Sequence, residues 1–547
     1  MPHRHPRWLI WLFPWLGEKP WHGLTLSEYL RGPVLIGTVL VLGVGGIVAG
    51  PTWVSDAAQC GQWWPPSSHI FSEDGECVGV STGSDPFGSQ FSQVMKQIGV
   101  LDARQPACPG QAAPPTQVNV AAMVTLNSLN TGIRSVHELE GFAAALRESQ
   151  SAEGDISACP YAIHLFIAQM GADEEAATQD ASMLAGMNVQ AVVGMGLSSA
   201  QSAAAAQILG RDDIPMVADL ISAEGFDHDG SASDKPQYSD CASPGPGDSG
   251  SASYTSGLGD YFFRVSFRAY QQINAVLPYL ASESAGGPLY VVQPASTSDP
   301  YTCTALPLFL SGLHRLRPAE DPLTLEFDQG SYGTNQGTAA AEICAQSRPV
   351  TVFYTARAVE LSTFLDDLRR EHDLGTCDIK PITVFSMSDA AQLRVPAPDQ
   401  SLEEAREAVL GSQAFRQGWL RVLYTPLADP DVLRAEGPIP PGYTDLTTAM
   451  RQDGFPVQDL DDGWAIMAYD AVAAVATALA AQSTTPGQIQ SALEDNDLKV
   501  PGADGTFTFD ANGNRSGPGP ALVRLCPAAS GYQTITVVVR PGKSTSC

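Results

Sequence analysis

From Val118 onward the chain alternates between short apolar runs and stretches whose apolar residues fall at helical spacing. VNVAAMVTLN reads as a buried strand and Val136–Ser149 as a helix. The rhythm continues with YAIHLFIAQM as strand, EEAATQDASMLAGM as helix, VQAVVGMG as strand, SSAQSAAAAQILG as helix and IPMVAD as strand. Strands alternating with helices of this length predict βαβ units and a parallel sheet. Residues 222–258, acidic and rich in Ser, Gly and Pro, break the pattern and read as an exposed loop or a crossover. A second series then runs from YFFRVSF through PLYVVQ, LTLEF and PVTVFYT to IKPITVFSM, with a helical segment in each interval. Two α/β layers of similar size share one chain, and the cleft between two such lobes is the default ligand site.

Upstream the pattern is different. Gly32 to Ser55 carries no charged residue, and PVLIGTVLVLGVGGIVAG (33–50) is long enough at about 1.5 Å per residue to cross a bilayer core of about 30 Å. Residues 1–31 carry Arg4, Arg7, Lys19 and Arg31 against Glu18 and Glu28, whereas the remainder is strongly acidic. The positive-inside rule therefore predicts a cytoplasmic segment at 1–32, one transmembrane helix at 33–50 and an extracellular bulk, so that the protein is single-pass in the cell membrane. A cleaved signal peptide is the rival; the long lead-in, the absent A-x-A site and the poor lipobox before Cys60 oppose it. Residues 51–117, with little periodicity, read as a stalk or cap.

Composition narrows the partners. The 547 residues carry 59 acidic and 30 basic side chains, for a formal charge of −29. Nucleic acid is excluded as a partner, because phosphate neutralisation needs surplus Lys and Arg. All ten cysteines (Cys60, Cys77, Cys108, Cys159, Cys241, Cys303, Cys344, Cys377, Cys526 and Cys547) lie beyond the apolar span. That distribution reads as five disulfides, and none of the spacings is zinc-like. Proximity pairs 60–77, 108–159, 344–377 and 526–547, with 241–303 remaining.

Residues 118–530 resemble the type 1 periplasmic-binding proteins, the branched-chain amino-acid-binding class of solute receptors. The resemblance is carried by VVGMGLSSAQSAAAAQIL, IPMVADLIS, WLRVLYTPLADP, GWAIMAYDAVAAVATAL and GADGTFTFDANGNRSG in that order. It implies an α/β fold of two Rossmann-like parallel sheets with a hinge and an interlobe cleft, crossed three times by the chain. Lobe one is expected at 118–258 and 427–505, lobe two at 259–424 and 506–530, and a C-terminal strand and tail at 531–547. It also implies a small polar solute, an amino acid or related compound, and an ABC permease as partner.

Ser198 and Ser199 follow a buried strand and open a helix, where free N–H groups and the helix dipole favour an anion. A plain N-cap is the competing reading, and both can hold. By resemblance this turn holds the ligand's α-carboxylate, and Ser222 matches a second polar position of the same lobe. Tyr301, Thr355, Arg357 and Asp389 each lie just past a predicted strand's C-terminal end, where ligands of open α/β sheets bind. By resemblance Tyr301 lines the cleft and Asp389 sits near a carboxylate for the ligand's ammonium. Arg357 and the FSMSDAA segment depart from the family pattern.

Three lookalikes carry less. GDSGS (247–251) echoes a protease nucleophile loop but lies in a Ser/Gly/Pro segment with no fitting His. Asp510-Ala-Asn-Gly-Asn514 lacks the bidentate Glu of a calcium loop and reads as a hairpin turn. Asp227-His228-Asp229 has no second ligand cluster. With no phosphate-binding glycine motif and no nucleophile–base constellation, neither a cofactor nor an enzymatic activity is expected. Two functions remain: a membrane-tethered solute receptor for transport, or a sensing or structural ectodomain acting through another membrane protein.

Overall fold

A computed structural model describes residue 60 and residues 69–547, apart from 84, 105–107, 109–113, 153, 232–240, 242–255, 283–286, 296–298, 329–335, 378–380, 530 and 544–545. The expected membrane span at 33–50 and the GDSGS loop lie outside the described residues. Among the described residues no helix is long and apolar enough to cross a membrane. The chain divides into two compact units, residues 1–75 and 76–547. Of the first, Ile70–Glu73 is a short strand, β1.

The larger unit holds two doubly wound sheets. The first contains β2 (Glu76–Ser81), β3 (Thr116–Val124), β4 (Tyr161–Gln169), β5 (Ala191–Gly194), β6 (Met216–Ala218) and β7 (Phe262–Arg264), in the order β2-β4-β3-β5-β6-β7. All its neighbours in the larger unit are parallel except β2, which runs antiparallel to β4. Its helices include α1 (Ser92–Asp102), α2 (Arg134–Ser149), α3 (Ala177–Gly186) and α4 (Ala200–Arg211).

The second sheet contains β8 (Leu289–Pro294), β9 (Leu323–Phe327), β10 (Val350–Tyr354), β11 (Ile382–Ser386) and β12 (Leu420–Tyr424), in the order β9-β8-β10-β11-β12. Its helices include α5 (Ala269–Ser282), α6 (Pro300–Leu316), α7 (Gln336–Cys344), α8 (Leu361–Asp373), α9 (Gln400–Gly411), α10 (Gln413–Arg416) and α11 (Pro430–Ala435). Every residue of β8, β11 and β5 is buried, which is why these strands read as unbroken apolar runs. Apolar clusters cover both faces of this sheet, one built around Phe364 and Val384, the other around Phe309 and Phe353.

The chain returns to lobe one with α12 (Pro441–Asp453), α13 (Trp464–Ala480) and α14 (Pro486–Leu493). Helix α13 is apolar nearly all round and correspondingly buried. It packs on α2 so closely that a Cβ at Gly141 would collide with the Ala465 carbonyl. A small sheet follows: β13 (Val500–Gly502), β14 (Gly505–Phe509) and β15 (Arg515–Ser516). The turn between β14 and β15 is the hairpin that Asn512-Gly513 predicts, with Gly513 at φ 76° and the Asp510 carboxylate accepting from the Asn512 and Asn514 amides. Finally β16 (Val523–Pro527) and β17 (Thr534–Val538) add antiparallel strands beside β12.

Three crossings are therefore present, but their positions correct the expected boundaries. Lobe one extends upstream, because residues 76–102 form β2 and α1 where weak periodicity suggests a stalk. β7 belongs to lobe one, so the first crossing lies after 264 rather than 258. The small sheet belongs with α13, and the strand of the expected tail, β17, completes the lobe-two sheet. Short edge strands of mixed direction give little apolar rhythm, which is why the boundaries slip there. Disulfides Cys108–Cys159, Cys241–Cys303, Cys344–Cys377 and Cys526–Cys547 are those that sequence proximity pairs. Cys60 and Cys77 are disulfide-bonded as well, and no described cysteine is free.

Candidate ligand cleft

Both sheets share one winding: the strand order reverses beside their first strands, β3 in lobe one and β8 in lobe two. A crevice opens outside the carboxyl ends of the strands at such a switch point. A cavity of about 600 Å³ lies between the lobes there. Lobe one supplies Thr125, Asn127 and Ser128 after β3, Asp173 and Glu174 after β4, and Ser198 and Ser199 after β5; lobe two supplies Asp299 after β8, and Arg357 and Glu360 after β10. The volume suits a small molecule.

On the lobe-one wall the hydroxyls are already bonded. Ser199 is the N-cap of α4, accepting from the Ser202 amide at 2.9 Å, and its hydroxyl also donates to the Glu174 carboxylate. The same carboxylate accepts from the Thr125 hydroxyl at 2.5 Å, the Leu197 amide at 2.6 Å and the Ser202 hydroxyl at 2.7 Å. Gly196, at φ 66°, leaves the room: a Cβ there would lie 2.5 Å from a Glu174 oxygen. The Ser198 hydroxyl faces inward and accepts from the Ser222 and Ala223 amides, each at 3.1 Å.

The lobe-two wall reaches across. Arg357 donates to Asp299 at 2.9 Å and to the Ser198 carbonyl of lobe one at 3.0 Å, and it lies 3.6 Å from Asp389 and over the Tyr301 ring. Burial disfavours this guanidinium's charge, but Asp299 and Asp389 outweigh it and hold its pKa above the ordinary value. From lobe one, Arg134 approaches Asp389 to 3.6 Å, donates to the Asn130 carbonyl and stacks on Trp464. Burial pulls the Arg134 pKa down, against the opposing pull of Asp389. Asp389 thus sits between guanidiniums from both lobes.

Of the residues singled out from sequence, Ser198, Ser199 and Arg357 line the cavity, whereas Ser222, Tyr301, Thr355 and Asp389 are buried and do not line it. Ser222 is buried and its carbonyl accepts from the Ala269 amide. Tyr301 is buried on α6, its hydroxyl accepting from the Asp389 amide at 3.3 Å; burial and the nearby Asp389 push its pKa up. Thr355 is buried against the Val292 carbonyl. The Asp227 carboxylate is bonded within its own loop, by the Ser231 amide and hydroxyl, and pairs with Arg264 at 3.6 Å.

Glu174, Asp299 and Arg134 escape the sequence reading. The first two had a usable signal, since each follows a strand's C-terminal end. Glu174 hides because the DEEAAT stretch merges with helical periodicity, although α3 begins only at Ala177. Arg134 had none, because its partner Asp389 lies far away in the sequence.

No family model matches this sequence, and no curated protein sequence matches it significantly. Solved structures do match. An ABC-transporter solute-binding protein from R. palustris, in complex with 4-hydroxybenzoate, superposes with a TM-score of 0.54 at 12% identity over 77% of this chain and 96% of its own. A branched-chain amino acid transporter substrate-binding protein from Streptococcus pneumoniae, in complex with isoleucine, gives 0.53 at 14% over 78% and 100%. A leucine-binding protein from Thermotoga maritima gives 0.52 at 16% over 78% and 99%. The chain shares the type 1 periplasmic-binding fold. The two walls described above touch through Arg357 and Arg134.

Proposed function

We propose that the protein is a solute-binding receptor, tethered outside the cell membrane by residues 33–50, that captures a small polar solute between its lobes for an ABC permease. The observation that carries this reading is the cavity of about 600 Å³ at the switch points of both sheets, lined by polar groups from each lobe. Its fold neighbours from R. palustris and Streptococcus pneumoniae hold 4-hydroxybenzoate and isoleucine, both small carboxylate compounds. A solute that prefers the closed form shifts the equilibrium by that preference alone. A thermal-shift screen of the full-length protein against amino acids, amides, amines, polyols and small anions tests the reading. A true solute at a hundred times its Kd stabilises by about 2.7 kcal/mol. No shift with any class sinks it.

A second reading draws on one specific observation. The lobes are bridged directly by Arg357 to the Ser198 carbonyl and by Arg134 to Asp389. A cleft latched by its own side chains suits a sensing or structural ectodomain that passes its shape to another membrane protein. Co-purification with a permease and its ATPase favours transport; a partner without transport machinery favours the second reading.

A further inference from the structure

We propose that Glu174 is a built-in occupant of the anion position at the start of α4 and the residue that keeps carboxylate solutes off the lobe-one wall. The inference rests on the receptor reading and sharpens its solute class.

A helix N-terminus with flanking hydroxyls attracts an anion. Here that anion is supplied by the chain itself. Four donors converge on the Glu174 carboxylate: the Leu197 amide and the hydroxyls of Thr125, Ser199 and Ser202. They come from the ends of β3 and β5 and from α4, so the group is held from three elements at once. Glu174 is only 3% exposed, although it lines the cavity. The local backbone serves this placement, with Glu174 itself at φ 60° and Gly196 opposite at φ 66° leaving space for the carboxylate. The four donors that Glu174 holds are not available to a solute carboxylate, and a second carboxylate beside the first meets like-charge repulsion.

The charge of the rest of the cavity is no more welcoming. Among the described residues its charged lining is Asp173, Glu174, Asp299 and Glu360 against one cation, Arg357. That cation already bonds Asp299 and the Ser198 carbonyl. A solute that fills this space is uncharged or cationic and carries no carboxylate. Glu174 is thus a specificity-determining residue whose removal opens an anion site.

The test is calorimetry on the full-length protein with two probes, acetate and L-leucine, comparing the parent with Glu174→Gly, Glu174→Ala and Glu174→Gln. The glycine variant suits the left-handed backbone, and the alanine variant stands in if glycine loosens the loop; circular dichroism confirms that each is folded. Glu174→Gln fills the same space without the charge. The expected result is at least tenfold tighter binding of acetate or leucine to Glu174→Gly or Glu174→Ala than to the parent, the worth of one hydrogen bond to a charged group, with no gain for Glu174→Gln. A parent that binds either probe as tightly as the truncated variants overturns the proposal. So do folded truncated variants that gain nothing. Silence of the parent towards every class of the thermal-shift screen counts against the receptor reading instead, so the two failures are distinguishable.

Discussion

The turn after β5 and the turn after β10 occupy the same place in two sheets of the same winding, yet they solve opposite problems. In lobe one the turn opens α4, and its exposed N–H groups and hydroxyls are met by Glu174 from the neighbouring turn of the same lobe. In lobe two the turn carries Arg357, whose guanidinium is met partly by its own lobe, through Asp299, and partly by the other, through the Ser198 carbonyl. The Glu174 carboxylate thus finds its donors within its own lobe, whereas the Arg357 guanidinium finds one of its acceptors across the cleft. The difference teaches which groups of the two turns cross the cleft: a guanidinium of lobe two, and not the serine hydroxyls of lobe one.

The largest effect should come from breaking that crossing. Asp389→Ala takes away the carboxylate that Arg134 and Arg357 share at 3.6 Å each. Breaking a buried ion pair on one side costs about 3–5 kcal/mol, because the partner charge stays buried and uncompensated. Urea unfolding should show that loss, and small-angle scattering should show a larger, more open particle. An unchanged midpoint and radius would mean that the lobes are held by something other than this latch.

The second effect separates the lobes by pH. Behind the lobe-one wall, Glu138 on α2 and Asp219 after β6 are both fully enclosed. Burial pushes the pKa of Glu138 well above its ordinary 4.5, helped by Asp219, and burial likewise pushes Asp219 above its ordinary 3.8. For acids raised in the folded state, the stabilisation is fully present below those ordinary values and is lost as pH rises through the raised ones. The Arg357 guanidinium keeps its charge there, because its carboxylate neighbours hold its pKa above the ordinary value against burial. Raising the pH above the ordinary carboxylate range should therefore loosen α2 before it loosens α6, as read by hydrogen exchange corrected for intrinsic rate. Glu138→Gln should flatten the dependence, with its gain in stability at the alkaline end.

How much of this is legible in sequence follows from how far each partner lies along the chain. The two sheets are plain because each strand and helix carries its own period, and the serine turn is plain because strand, small residues and helix are contiguous. Arg357 stands out as a cation at a strand end. Its role does not, since Asp299 and Ser198 are brought to it by two different sheets. Glu174 and Ser199 share a lobe and still lie on separate turns, after β4 and β5, so only the packing of both strands against β3 makes them neighbours. Periodicity reports which face a residue takes; it says nothing of which other face it meets. The serines were therefore found and their occupant was not.

The smallest effect concerns those serines, and it sharpens the contrast because two adjacent hydroxyls do different work. Ser198 accepts from the buried Ser222 and Ala223 amides, so Ser198→Ala leaves backbone donors unpaired, at about 1–3 kcal/mol. Ser199 caps α4 through the Ser202 amide, so Ser199→Ala forfeits a cap worth about 1 kcal/mol. Part of even that loss is cushioned, since Glu174 still accepts from the Leu197 amide and the Ser202 hydroxyl. Both hydroxyls are bonded within the lobe, so both variants should lower stability and leave solute affinity nearly unchanged once folded. Chemical denaturation paired with calorimetry on any solute found in the screen reads both quantities. If Ser199→Ala weakened a solute more than tenfold while α4 stayed folded, its hydroxyl would be turning from Glu174 to the solute on binding.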